Sequence, residues 1–124
     1  MRFKAKSRPR RQPGVMNSTE ARYAEYLGSQ KLAGDVFDFS FEPCKFRLAD
    51  NTFYTPDFMV ITSDYGIEFH EVKGSWKAPH QDDAKVKIKV AAETFWQFTF
   101  LSAEVVPKKH GGGWKITTFG NKGT

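Results

Sequence analysis

Cysteine is nearly absent from this chain of 124 residues, and Cys44 is its only one, so no internal disulfide can form. A single cysteine and three histidines offer no Cys/His cluster for a structural zinc ion. No apolar run approaches the length that crosses a bilayer, and the basic N-terminus is not followed by the apolar stretch of a signal peptide. These absences predict a cytoplasmic protein with no disulfide scaffold, no zinc finger and no membrane contact.

Positive charge is concentrated at the N-terminus of a chain with 19 basic and 14 acidic residues. Six of the basic residues precede Gln12: Arg2, Lys4, Lys6, Arg8, Arg10 and Arg11. The remainder has 13 basic residues against all 14 acidic ones, a net charge of −1. We predict a basic, disordered arm over residues 1–14 in which Arg8, Arg10 and Arg11 contact nucleic acid. A solvated tail that aids solubility is the alternative.

Hydrophobic periodicity and turn residues predict two helices and eight extended segments in one domain, residues 15–124. The first helix has Asn17 or Ser18 as its N-cap, runs to about residue 33 and is ended by Gly34, and the second covers about 82–95. The extended segments cover 36–41, 46–48, 52–54, 58–62, 67–73, 98–101, 104–106 and 114–119. This order predicts an α/β or α+β fold in which helices flank a mixed β-sheet.

Two acids and a lysine lie near the ends of adjoining predicted strands: Asp57, Glu71 and Lys73. Carboxylates are hard oxygen ligands suited to Mg²⁺ or Mn²⁺, and the backbone carbonyl of Val72 is a plausible further ligand. Such an ion activates water for attack on a phosphodiester, while a lysine beside it orients the water and offsets negative charge. An ordinary surface salt-bridge cluster is the alternative.

The register of the hairpin decides whether Asp57 joins the other two side chains. Glu71 and Lys73 share a face because residues two apart on a strand point the same way. A three-residue loop, 64–66, ending in Gly66 at positive φ would place Asp57 opposite Lys73 and diagonal to Glu71. A two-residue loop would turn Asp57 to the other face. The loop residues favour the first register.

The order Pro56-Asp57, then Glu71-Val72-Lys73, resembles the PD-(D/E)XK signature of restriction-endonuclease-like nucleases. More narrowly, residues 17–101 are similar to a family of small phage and prophage proteins related to junction-resolving endonucleases. The shared parts are a helix opening like STEA (18–21), a segment like EPCKF (42–46) and a lysine-rich helix after the Glu-x-Lys strand.

This resemblance implies a restriction-endonuclease-like core and a Mg²⁺-dependent deoxyribonuclease, with Mn²⁺ as a substitute for Mg²⁺. The implied substrate is phage DNA, including branched, Holliday-junction-like DNA, in the host-cell cytoplasm. Resolution of a junction needs two nicks and would favour a homodimer. The alternatives are a nucleic-acid-binding protein that keeps the fold without cutting, and a phage assembly protein.

The resemblance also implies that Glu20, on the first helix, completes the catalytic set. Its alternative role is a capping box with Asn17, and the two roles exclude each other in one conformation. On the second helix, Lys85 and Lys89 are i,i+4 neighbours that could bind the phosphates of one nucleic-acid strand. A solvated helix face is equally compatible with this pair.

Overall fold

A five-stranded mixed β-sheet with a helix on each face forms the centre of the computed structural model, which describes residues 14–74 and 81–120. The helices are α1 (Ser18–Ala33) and α2 (Gln81–Thr94). The strands are β1 (Val36–Phe41), β2 (Phe46–Ala49), β3 (Thr52–Tyr54), β4 (Phe58–Thr62), β5 (Ile67–Lys73), β6 (Thr99–Val105) and β7 (Trp114–Phe119). The predicted α+β class, with a mixed sheet flanked by helices, is confirmed.

The sheet has the order β1-β4-β5-β6-β7. Strands β5 and β6 are parallel and are joined through α2, whereas the other neighbours are antiparallel. Strands β2 and β3 form a separate antiparallel hairpin that packs against α2. The C-terminal ends of β5 and β6 therefore lie at the same edge of the sheet as the start of β4.

Capping residues define both ends of helix α1. The side chain of Asn17 accepts a hydrogen bond from the amide of Glu20, and Glu20 accepts one from the amide of Asn17. Gly34 ends the helix in the left-handed region, at φ 88°, where a residue without Cβ has no steric penalty. The predicted bounds of this helix are confirmed.

The two faces of the sheet carry separate apolar clusters. The face toward α1 buries Tyr23, Leu27, Phe58, Val60, Val72 and Ala103. The face toward α2 and the β2–β3 hairpin buries Tyr54, Phe69, Ile88, Ala91, Ala92, Phe100 and Phe119. Because side chains alternate along a strand, Glu71 and Lys73 share the α2 face with Phe69.

Strand β6 corrects the prediction of two short segments, 98–101 and 104–106. It runs unbroken from Thr99 to Val105 and pairs with β5 on one side and β7 on the other. The small residues Ser102 and Ala103 resemble a break in the pattern, but both are fully buried in the centre of the sheet. A strand covered on both faces shows no alternation of apolar and polar residues, so periodicity could not identify it.

The β4–β5 hairpin corrects the predicted loop. The last β4–β5 pair is Ile61 with Ile67, so residues 62–66 lie between the paired ends rather than 64–66, although Thr62 still belongs to β4 through its pairing with Val36 of β1. The hydroxyl of Thr62 bonds to the Asp64 carboxylate and accepts from the Gly66 amide at 2.9 Å, which stabilises the longer loop. The positive φ falls on Tyr65, at 69°, and not on Gly66.

The corrected register moves Asp57 by two positions along β5. Phe58 pairs with His70, so Asp57 comes next to Glu71 rather than opposite Lys73. A shift of two residues preserves the face on which a side chain lies, whereas a shift of one would reverse it. Asp57 therefore shares the face of Glu71 and Lys73, as predicted, although for a different loop.

Candidate functional site

The structure brings Asp57, Glu71 and Lys73 together where β4 begins and β5 ends. Asp57 and Glu71 are 6% and 8% exposed, which is unusual for carboxylates and requires partners. The amide of Val72 donates to Asp57 Oδ2 at 2.8 Å and fixes the orientation of that carboxylate. Lys73 Nζ lies 3.2 Å from Glu71 Oε2, and the lysine side chain is 19% exposed. The cluster is thus buried rather than an ordinary surface salt bridge.

Tyr54 is a member of the site that sequence reasoning missed. Its hydroxyl donates to Glu71 Oε1 at 2.8 Å from strand β3, which belongs to the separate hairpin. Burial, followed by the charge of Glu71, raises the pKa of Tyr54 far above its usual value, so the phenol remains a donor. The only signal in the sequence was a tyrosine three residues before Asp57, and that spacing does not reveal a contact with β5.

Glu20 lies close to the two carboxylates while it caps α1. It is 4% exposed, and its Oε1 accepts from the Asn17 amide at 2.9 Å. Its charge nevertheless raises the pKa of both Asp57 and Glu71, which places it within electrostatic reach of the pair. The capping alternative is present, and it does not remove Glu20 from the neighbourhood of the site. Its catalytic role stays a prediction.

Burial makes ionisation of both carboxylates unfavourable. Burial is the largest cause that raises the pKa of Asp57, to about 9, and the charge of Glu71 is the second; the Val72 amide and Lys73 act in the opposite direction. Burial also raises the pKa of Glu71, against the lowering effects of Lys73 and Tyr54. Ionisation of both acids in this buried cluster is therefore unfavourable without a further positive charge.

This electrostatic character predicts how stability changes with pH. The pKa of Asp57 rises from an ordinary 3.8 to about 9 on folding. Between these pH values the folded chain keeps a proton on Asp57 that the unfolded chain has lost. In the presence of chelator, the free energy of unfolding should therefore fall as pH rises from about 4 toward 9. Asp57→Asn should flatten this dependence in urea unfolding measured across the range.

Asp64→Asn is the matched control for this measurement. Asp64 is exposed, and a hydrogen bond from Thr62 lowers its pKa, so its contribution to the pH dependence is confined to acid solution. Above pH 5 that variant should keep the wild-type slope. A wild-type chain equally stable at pH 5 and pH 8 would contradict the assignment of a buried, protonated Asp57.

A cleft of about 410 Å³ opens beside Glu71, between the β2–β3 hairpin and α2. It is lined by Phe53, Tyr54, Thr55, Glu71, Asp83, Ala84 and Lys87. Lys87 is exposed and brings a positive charge to the wall of this cleft. Lys85 is half-buried, Lys89 is exposed, and neither lines the cleft, so the predicted lysine pair is not the part of α2 nearest Glu71.

The residues present fit a hard divalent cation. Among the residues that the structure describes, no three His, Cys, Asp or Glu side chains form a ready-made metal cluster. Asp57, Glu71 and the Val72 carbonyl would supply three oxygens, and the remaining positions would be filled by water, as Mg²⁺ prefers. A cation would also offset the burial and the charge of Glu71, which together raise the pKa of Asp57. The ligand set stays a prediction.

Arg8, Arg10 and Arg11, the predicted contacts of the basic arm, lie outside the described residues. Within residues 14–74 and 81–120, no helix combines the length and apolar character needed to span a membrane. Comparisons of the chain with protein families, with curated proteins and with solved structures gave no match.

Proposed function

We propose that this chain is a divalent-cation-dependent endonuclease with a restriction-endonuclease-like core that hydrolyses phosphodiester bonds in DNA. One observation carries the proposal: two buried carboxylates from adjoining strands meet a lysine ammonium at one edge of the sheet. A purely structural cluster gains little from burying two acids together, because the cost of removing them from water is large. Perturbed acids of this kind are concentrated at functional sites.

Each side chain has a distinct part in the proposed reaction. Asp57 and Glu71, with the Val72 carbonyl, would hold Mg²⁺ or Mn²⁺. The bound ion would supply charge stabilisation and lower the pKa of water. Lys73 is not a ligand; it would leave Glu71, contact the phosphate and offset the negative charge that develops during attack.

The neighbours of the two acids hold them in position for this task. The Val72 amide fixes Asp57, and the Tyr54 hydroxyl fixes Glu71, both at 2.8 Å. Groups that orient ligands in this way commonly change metal affinity or activity about 10- to 100-fold when they are removed. Tyr54 therefore acts as a positioning residue in the proposal.

The route of the DNA follows from the position of the cleft. An opening lined by Glu71, Asp83 and Lys87 would bring a phosphate to Glu71, with Lys87 as the positive charge in its wall. The basic arm would add long-range attraction to a body of net charge −1. Branched, Holliday-junction-like DNA and a homodimer that makes paired nicks belong to the same proposal.

A second candidate is a DNA-binding protein that keeps this fold without cutting, including one that serves phage assembly. It is favoured by the hydrogen bonds at Glu71, where Tyr54 donates to one carboxylate oxygen and Lys73 lies close to the other. A carboxylate held on both sides by the protein is compatible with a purely structural cluster.

Cleavage of DNA decides between the two candidates. Linear, flapped and four-way substrates should be incubated with the wild-type chain and Mg²⁺, Mn²⁺ or chelator. The nuclease proposal expects cleavage with either ion, none with chelator, loss in Asp57→Asn and retention in Asp64→Asn. Binding without cleavage on all three substrates would favour the second candidate, and paired nicks in the four-way substrate would support the junction-resolving form.

A further inference from the structure

Ser102 carries a buried hydroxyl without a hydrogen-bond partner. It lies in the middle of β6 and is 0% exposed. Of the buried side-chain nitrogen and oxygen atoms in the described part of the chain, Ser102 Oγ alone lacks a partner. Burying a hydroxyl in this way is unfavourable, and native structures contain few such groups. This one therefore requires an explanation.

The position of Ser102 places it beside Glu71. The two residues are Cα partners in the parallel β5–β6 ladder, so their side chains lie next to each other on the α2 face. The preceding pair on that face, Phe69 and Phe100, belongs to the apolar cluster beneath α2. Ser102 is thus a polar residue at the point where this core meets the candidate site.

Glu71 would need a new donor during the proposed reaction. Its Oε2 lies 3.2 Å from Lys73 Nζ, and Oε1 accepts from Tyr54. A divalent cation on Glu71 would repel the ammonium, and the proposed reaction also requires Lys73 at the phosphate. With Lys73 displaced, Glu71 Oε2 would lose the hydrogen-bond donor that it has in the cation-free chain.

We infer that Ser102 is a positioning residue for Glu71, whose carboxylate accepts a hydrogen bond from the Ser102 hydroxyl once a cation has displaced Lys73. This inference rests on the proposed function, because it requires a cation at Glu71. In the cation-free chain, Tyr54 and Lys73 hold the two carboxylate oxygens of Glu71 in an arrangement in which the Ser102 hydroxyl makes no hydrogen bond. Replacement of Ser102 by alanine should therefore stabilise the cation-free chain and weaken cation binding.

Ser102→Ala tests the inference because two measurements should change in opposite senses. Mn²⁺ affinity measured by calorimetry should fall about 10-fold, the scale of losing a group that orients a ligand. Thermal unfolding in chelator should shift upward by a few degrees, because a buried hydroxyl without a partner has been removed. Ser29→Ala, on the exposed side of α1, is the matched control and should leave Mn²⁺ affinity unchanged.

The possible results separate this inference from the proposed function. Unchanged Mn²⁺ affinity in Ser102→Ala, with lower thermal stability, would mean that the hydroxyl bonds to a buried water and would overturn the inference alone. Absence of Mn²⁺ binding by the wild-type chain would overturn both. Weaker Mn²⁺ binding together with higher stability in chelator is the outcome that supports Ser102 as a positioning residue.

Discussion

Replacement of Lys73 by alanine should slow DNA hydrolysis about 10²-fold or more, the scale of removing a transition-state stabiliser or a proton-transfer group. The side chain is only 19% exposed and its ammonium lies beside Glu71, so it has little role in the initial capture of DNA. Its positive charge is instead available where the phosphate becomes more negative. Single-turnover rates with saturating Mg²⁺ measure this effect without contributions from binding or product release.

Mn²⁺ affinity should survive in the same variant, since Lys73 is not a ligand and its charge opposes the cation. This separation distinguishes a catalytic lysine from one that merely holds the site together. Lys31→Ala is the matched control. Lys31 lies near the C-terminal end of α1 and forms an exposed ion pair with Asp38 of β1. Wild-type turnover by Lys73→Ala would remove this residue from the mechanism.

Deletion of residues 1–13 should make DNA binding much less sensitive to salt. Those residues contain six positive charges, whereas the rest of the chain has a net charge of −1. Each phosphate contact contributes about −0.9 to the slope of log affinity against log salt on duplex DNA. Loss of three contacts would lower the magnitude of the slope by about 2.7, which fluorescence anisotropy at several salt concentrations resolves.

Mn²⁺ binding and slow cleavage at low salt should persist in the truncated chain, because Asp57 and Glu71 belong to the β4–β5 hairpin. A full-length variant with Arg8, Arg10 and Arg11 replaced by glutamine is the matched control for chain length. It should reproduce much of the change in slope. An unchanged slope in both variants would assign the arm to solubility and would make the lysines of α2 the better candidate for the DNA surface.

The parts of the fold that depend on local chemistry could be predicted from the sequence. Helix α1 begins at an Asn17 cap and ends at Gly34, and both signals act within a few residues. The face of Asp57 could also be predicted, since it depends only on whether the connection has an odd or even number of residues. The α+β class followed from the order of these elements.

The parts that depend on contacts distant in sequence could not be predicted. The turn after β4 is closed by the hydroxyl of Thr62, which accepts from the Gly66 amide while Thr62 ends the strand, and the hydrophobic pattern does not reveal this side-chain contact. The continuity of β6 depends on β5 and β7 on its two sides, and its buried Ser102 resembles a turn residue when it is considered alone.

The candidate site shows the same division. The placement of Asp57, Glu71 and Lys73 follows from one hairpin, and the structure brings them together. Tyr54 reaches Glu71 only because the β2–β3 hairpin packs over α2. Ser102 lies beside the same residue only because β6 returns parallel to β5 after α2. Neither placement has a sequence signal of its own.

A divalent-cation site formed by the buried Asp57 and Glu71 is tested most directly by a calorimetric titration of Mn²⁺ into the wild-type chain, Asp57→Asn and Asp64→Asn near pH 8. We expect saturable binding by the wild-type chain and by Asp64→Asn, with proton release because Asp57 must ionise, and no binding by Asp57→Asn. Equal Mn²⁺ binding by Asp57→Asn and the wild-type chain, or no binding by either, would contradict it.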